Sequence, residues 1–186
     1  MTLMNDKKPF DMDEQIAVGV VGEKIVTDWI KKNKTFKSLT DVSKIKKYQD
    51  IDVDLKLELP NGAINLIEIK TDKYNPINFV PEEWSDNPKT DEFGDFIEDG
   101  SSGSLGCFRK TKANFIYYYF LKTDELYIFR TSAFQEWFET ERFRFKRVTI
   151  TNKGWAGSIR IVPVEVMMKE LGPNNIKKYT DIKKDL

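Results

Sequence analysis

The sequence predicts an α/β protein with a mixed central β-sheet flanked by helices. Three observations predict it: an amphipathic stretch over 12–32, two strand-like segments joined at Pro60, Asn61 and Gly62, and an aromatic run over 115–121. The first repeats with the period of a helix, the second alternates with the period of a strand, and the third has the length of a strand buried on both faces.

The helix is expected from about Met12 to Lys32, started by Pro9 and Asp11 and ended by lysines that suit its dipole. A short strand over 36–42 and a basic loop ending near Tyr48 follow. Over 51–59 the alternation is almost unbroken. Ile51, Val53, Leu55, Leu57 and Leu59 take one side, and Asp52, Asp54, Lys56 and Glu58 the other. With the second strand over 63–71 this reads as a hairpin. A third strand is expected over 77–80. Residues 81–106 lack any clean period and read as a long, mobile, acidic loop. The aromatic strand pairs with 126–130, and a helix then runs to Phe138, with Gln135 placed for a capping box against Ser132. Strands over 148–150 and 158–162 precede a last helix, opened by Pro163 and ended by Gly172 and Pro173. No linker or repeat divides the 186 residues, so one domain spans the chain.

Composition excludes several function classes. There is no histidine, which removes serine-hydrolase triads and histidine-ligated metals. Cys107 is the one cysteine, so neither a disulfide within the chain nor a cysteine-held zinc site is available. No glycine-rich phosphate loop is present. Catalysis, if any, falls to carboxylates, lysine, arginine, hydroxyls or a hard cation on oxygen ligands. With no signal-peptide core after Asp6, Lys7, Lys8 and Pro9 and no membrane-length apolar run, a cytoplasmic protein is expected. Net charge is zero but unevenly spread: 82–99 holds eight acids against Lys89, which leaves +7 on the remainder. Basic clusters fall at 31–37, 44–47, 109–112, 142–147 and the C-terminus, each either a contact for a polyanion or a solvated surface.

The hairpin carries Asp52, Asp54, Glu68 and Lys70, and its turn decides whether they meet. A two-residue loop sets Leu55 opposite Glu68 and turns the aspartates away. A three-residue loop, with Gly62 left-handed, sets Asp54 opposite Glu68 and Asp52 opposite Lys70. Carboxylates facing each other at about 4.5–5.5 Å between Cβ atoms share a proton or hold a cation, for which Mg²⁺ or Mn²⁺ suits oxygen donors. Lys70 can orient a water or stabilise developing phosphate charge. Glu23 lies in line with Ile16, Val20, Val26 and Ile30 on the first helix. It is either a third acid aimed at the sheet or an edge residue in solvent.

In order and spacing, the helix with Glu23, "DIDVDL", the turn "PNG" and "LIEIKTD" resemble the PD-(D/E)XK nucleases, which share the restriction-endonuclease-like fold. "GCFRKTKANFIYYYF" is similar to a stretch of phage and prophage members. The likeness covers roughly 12–139. It implies metal binding by Asp54 and Glu68, a catalytic Lys70, an accessory acid at Glu23, and attack of water on a DNA phosphodiester. No proline precedes the aspartate, so Asp50, Asp52 and Asp54 compete for the metal; the register favours Asp54, then Asp52. Arg109, Lys110 and Lys112 are candidates for phosphate contact or ordinary surface charge, and Trp84 for a nucleic-acid wedge or a hydrophobic clasp. The reading is a metal-dependent DNA endonuclease or structure-specific nuclease of phage or mobile-element origin, with DNA and a second copy of the chain as partners. Its alternative is a non-catalytic protein that grips DNA or, through its acidic loop, blocks a nucleic-acid-binding protein.

Overall fold

The computed structural model describes residues 12–186 except 94, 99, 101, 153, 154 and 185. The expected helix start at Pro9 and Asp11 lies outside the described residues, as do Asp6, Lys7 and Lys8. From the N-terminus the elements are α1 (Met12–Asn33), β1 (Ser38–Asp41), α2 (Lys46–Gln49), β2 (Leu55–Glu58), β3 (Ile64–Asp72), β4 (Asn78–Phe79) and β5 (Glu82–Asp86). Then come β6 (Ser104–Leu105), α3 (Cys107–Lys110), β7 (Phe115–Phe120), β8 (Glu125–Arg130), α4 (Thr131–Glu141) and a 3-10 turn (Arg142–Arg144). The chain closes with β9 (Lys146–Asn152), β10 (Trp155–Pro163), α5 (Val164–Leu171) and β11 (Ile176–Thr180).

The central sheet is mixed, in the order β1-β2-β3-β7-β8-β11, with β3 and β7 its parallel pair. Alternation sorts its side chains. Leu55, Leu57, Ile67, Ile69, Tyr117 and Tyr119 pack under Val26, Trp29 and Ile30 of α1. On the other face Ile116, Tyr118, Phe120 and Phe129 meet Phe108, Phe134, Phe138 and Met167. The aromatic run of β7 is therefore buried on both sides, as expected. Gly22 brings α1 down onto β3: a Cβ there would lie 1.9 Å from Thr71 Oγ1. The N-terminal part of the helix is not held the same way. Ile16 and Val20, expected in the core-facing stripe, are 58% and 60% exposed.

A second sheet runs β4-β10-β5-β6, with β9 also on β10. It revises the reading of 81–106 as one loop, because β5 and β6 lie inside that segment. Glu83, in the acidic run, is fully buried. The Arg160 guanidinium donates to both its oxygens at 2.7 Å, and Arg142 Nε donates at 3.1 Å. Arg142 also reaches Glu98 at 2.5 Å, so part of the acidic run is spent inside the molecule. Trp84 is a clasp, 5% exposed and edge-on to Phe96.

Smaller corrections follow from hydrogen bonds. Gln135 makes no capping box. Its amide donates to the carbonyls of Phe108, Arg109 and Thr111, closing the end of α3. The last helix does end at Gly172, with φ +71°, but an edge strand, β11, follows it. Among the described residues no helix is long and apolar enough to cross a membrane.

Candidate active site

The hairpin forms with the three-residue turn. Leu55 pairs with Ile67 through to Glu58 with Ile64, Leu59 N–H donates to Ala63 O at 2.8 Å, and Gly62 takes φ +83°. Continued by one residue, this register sets Asp54 opposite Glu68, and Asp54 N–H donates to Ile67 O at 2.9 Å. The expected pairing of Asp52 with Lys70 fails, because β2 begins at Leu55 and not at Ile51. Before it, Val53 N–H is captured by Tyr48 O at 3.1 Å and the Thr111 hydroxyl donates to Asp52 O at 2.7 Å. Ile51 and Val53 pack with Val42 and Ala113 around this turn, so their alternation serves a small core cluster, not a ladder. Asp52 is left with φ +47°, a left-handed conformation that costs a non-glycine residue energy, and faces Lys110 at 3.3 Å.

Glu68 and Lys70 share the face of β3 that looks toward α3. Glu68 is 3% exposed, and its Oε1 meets Lys70 Nζ at 2.5 Å. Its Oε2 is buried with no hydrogen-bond partner, in a closed crevice beside Cys107, Phe108 and Thr111. Burial pushes the Glu68 carboxyl up to about 8; Lys70 opposes the shift and Asp54 adds to it. Burial pulls on Lys70, but Cys107 and Glu68 hold it well above the ordinary ammonium range. Because burial also drives the Cys107 thiol up and keeps it neutral, Glu68, once ionised, is the charge that matters to Lys70.

Asp54 opens on the other side of the pair. Its Oδ2 accepts from Ile69 N–H at 2.7 Å, and burial raises its pKa against that bond and against Lys70. It lines a cavity of about 340 Å³ with Glu23, Asp41, Lys24, Lys31 and Asp28. Glu23, half-buried, faces this cavity; burial raises its pKa and Asp54 raises it further. The helix therefore directs Glu23 at the end of β2. Asp41, which sequence reasoning passed over, ends β1 opposite Leu55 and contributes a second nearby charge. Its carboxylate accepts from Ser43 N–H and hydroxyl, which holds its pKa down and keeps it ionised. Its one signal in the sequence was its place at the end of a short strand.

Of the basic candidates, Arg109 is committed elsewhere. It donates to Glu139 at 2.6 and 3.1 Å, lies 4.6 Å over the Trp84 ring, and its side chain is 9% exposed. A phosphate in solvent does not reach it. Lys110 holds Asp52, and Lys112 is exposed beside the same turn.

The donors suit a hard cation: Asp54 and Glu68 stand side by side with oxygen ligands, and Glu68 Oε2 has an unmet demand. Among the described residues, however, no three Asp, Glu, Cys or His side chains converge closely enough to hold an ion. Glu23 thus lines the cavity facing Asp54 without completing a shell with Asp54 and Glu68. No family model, curated protein or solved structure matches the chain.

Proposed function

We propose that the chain is a Mg²⁺- or Mn²⁺-dependent nuclease with a restriction-endonuclease-like core of the PD-(D/E)XK kind, hydrolysing DNA phosphodiesters. The observation that carries this reading is the register of the hairpin, which brings the Asp54 carboxyl to the buried Glu68 with Lys70 on the same face. The order of α1 with Glu23, β2 with Asp54, and β3 with Glu68 and Lys70 supports it. Asp54 and Glu68 would hold the cation, and Mg²⁺ is commonly held by one or two carboxylates with water and substrate completing its shell. Bound there, it would polarise the scissile phosphate.

The chain's own groups do the rest. Ile69 N–H fixes the Asp54 carboxylate. With a cation held by Asp54 and Glu68, Lys70 would be free of Glu68 to donate to a non-bridging phosphate oxygen and steady the charge that develops there. Glu23 accepts a hydrogen bond from a water in the cavity and orients it toward the phosphorus. Asp52 holds Lys110 beside the turn that leads into β2.

The test is cleavage of single-stranded, duplex and branched DNA with Mg²⁺ or Mn²⁺ by the wild type, Asp54→Asn and Lys70→Ala. Each variant is expected to lose at least about a hundredfold, the scale of removing one charge-stabilising group. No metal-dependent cleavage by the wild type, or equal cleavage by all three, overturns the proposal. A second reading, a nuclease fold kept for binding alone, is favoured by the closed Glu68–Lys70 pair. Calorimetric titration with Mn²⁺ separates the two: the binding-only protein takes up no ion.

A further inference from the structure

A second concavity lies on the α1 side of the sheet, past the end of the helix. It encloses about 310 Å³. Its floor is apolar sheet, with Leu57, Ile67, Phe115 and Tyr117, and Tyr179 stands beside it. Lys34, Arg130 and Lys177 line it together with the amides of Asn65, Asn174 and Asn175, and no acidic residue does.

These three cations stand together with no acid among them. Arg109, Arg142, Arg144 and Arg160 all sit in ion pairs, as do Lys24, Lys31, Lys37 and Lys70. Among the described residues, Lys34, Arg130 and Lys177 form none. Two of them instead lie over rings: Lys34 is 5.0 Å from the Trp29 centroid and 5.1 Å from that of Tyr179, and Arg130 is 5.6 Å from that of Phe115. In a chain with as many acids as bases, unpaired cations gathered round one apolar floor leave a positive, ring-lined trough. A ligand that complements it carries flat apolar faces and regularly spaced negative charge, with polar edges for the asparagine amides.

We propose that this groove binds single-stranded nucleic acid, bases against the aromatic floor and phosphates on Lys34, Arg130 and Lys177. A duplex hides its base faces and fits poorly; an unpaired strand offers them. The groove is the neighbour of the acidic cavity on the same sheet face. Leu55 and Ile69 line the cavity, Leu57 and Ile67 the groove, two residues on and so roughly 6–7 Å away along the strands. A strand leaving the cavity has the groove as its next support. Binding in the groove stands without the cleavage reading, and only this continuity rests on it.

The experiment is fluorescence anisotropy of a labelled oligothymidylate of about ten nucleotides, with EDTA present so that cleavage plays no part. The full chain is compared with the Lys34→Glu, Arg130→Glu, Lys177→Glu triple variant and with a Lys183→Glu, Lys184→Glu control. The triple variant is expected to bind at least about tenfold more weakly, with a salt slope shallower by about 2, since single strands release roughly 0.7 counterions per contact. The control and Asp54→Asn are expected to bind like the wild type. As a check that needs no variant, ultraviolet cross-linking of a 5-bromouridine strand to the wild type is expected to mark Phe115 or Tyr179. Equal binding by the triple variant and the wild type overturns the proposal. So do cross-links confined to other surfaces, tighter binding to duplex than to single strand, or displacement by an acidic peptide but not by nucleic acid. Loss of cleavage in Asp54→Asn with this binding intact bears on the cleavage reading alone.

Discussion

Glu68 concentrates the chemistry of the molecule in one side chain. It is buried, half-neutralised by Lys70, and one of its oxygens lacks any donor. An acid whose pKa is raised from 4.5 to about 8 keeps a proton in the folded state that the unfolded chain has already released. Its burial therefore costs nothing below pH about 4.5, costs progressively more as pH rises toward 8, and levels off above that. Lys70, shifted upward, stays protonated throughout that window. The Glu68→Gln variant is expected to remove the slope between pH 5 and 8, to gain about 1–3 kcal/mol at the alkaline end and, under the proposed nuclease reading, to lose cleavage. Urea melts of both proteins across that range test this; parallel curves would mean that Glu68 is ionised and solvated. Sequence alone placed Glu68 and Lys70 on one face, because period-two alternation needs no long-range information. That Asp52 would be lost from the strand was not legible: the carbonyl of Tyr48 and the hydroxyl of Thr111 decide it, and Thr111 is far along the chain.

At the scale of elements, the position of Glu23 depends on how closely α1 lies on β3. Gly22 sets that distance, with no space for a Cβ against Thr71. Gly22→Ala is expected to cost about 1–3 kcal/mol through overpacking, despite alanine's better helix propensity, and to lift Glu23 from the cavity. Pairing it with Thr71→Ala is expected to restore part of the loss, because the hydroxyl and methyl that clash are gone. Thermal melts of the single and double variants measure the recovery; a Gly22→Ala protein as stable as the wild type would mean that the helix does not rest there. The helix and its register were readable from 12–32, since lysines and an apolar period mark it. Its division into a buried end at Val26 and Ile30 and an exposed end at Ile16 and Val20 was not, because one stripe of side chains looks alike whether or not a sheet extends beneath it. The short strand β11 escaped for a related reason. Five residues, three of them exposed, carry too little pattern to announce an edge strand.

For the whole molecule, the buried ion cluster joins what would otherwise be separate layers. Glu83 on β5, Arg142 after α4, and Arg160 on β10 meet with Glu98 and Glu139, so the second sheet is fastened to the helical side of the first. Replacing Glu83 by Met leaves two buried guanidiniums facing each other and is expected to cost about 3–5 kcal/mol, read as a lower urea midpoint. A shift under about 1 kcal/mol would show that water reaches the cluster. Composition could not reveal this, since a buried glutamate in an acidic run looks like every solvated neighbour until its arginines arrive from 59 and 77 residues away. The parallel pairing of β3 with β7 has a consequence of its own for how the chain reaches this state. Between the two strands lie residues 73–114, which include β4, β5 and β6, so β3 emerges with one flank satisfied by β2 and the other bare until Phe115 is in place. Closing so long an excursion is slow, and a bare strand carrying Ile64, Leu66, Ile67 and Ile69 is an invitation to pair with another molecule. Synthesis or refolding thus passes through a stage in which one flank of the strand that bears Glu68 and Lys70 is unpaired.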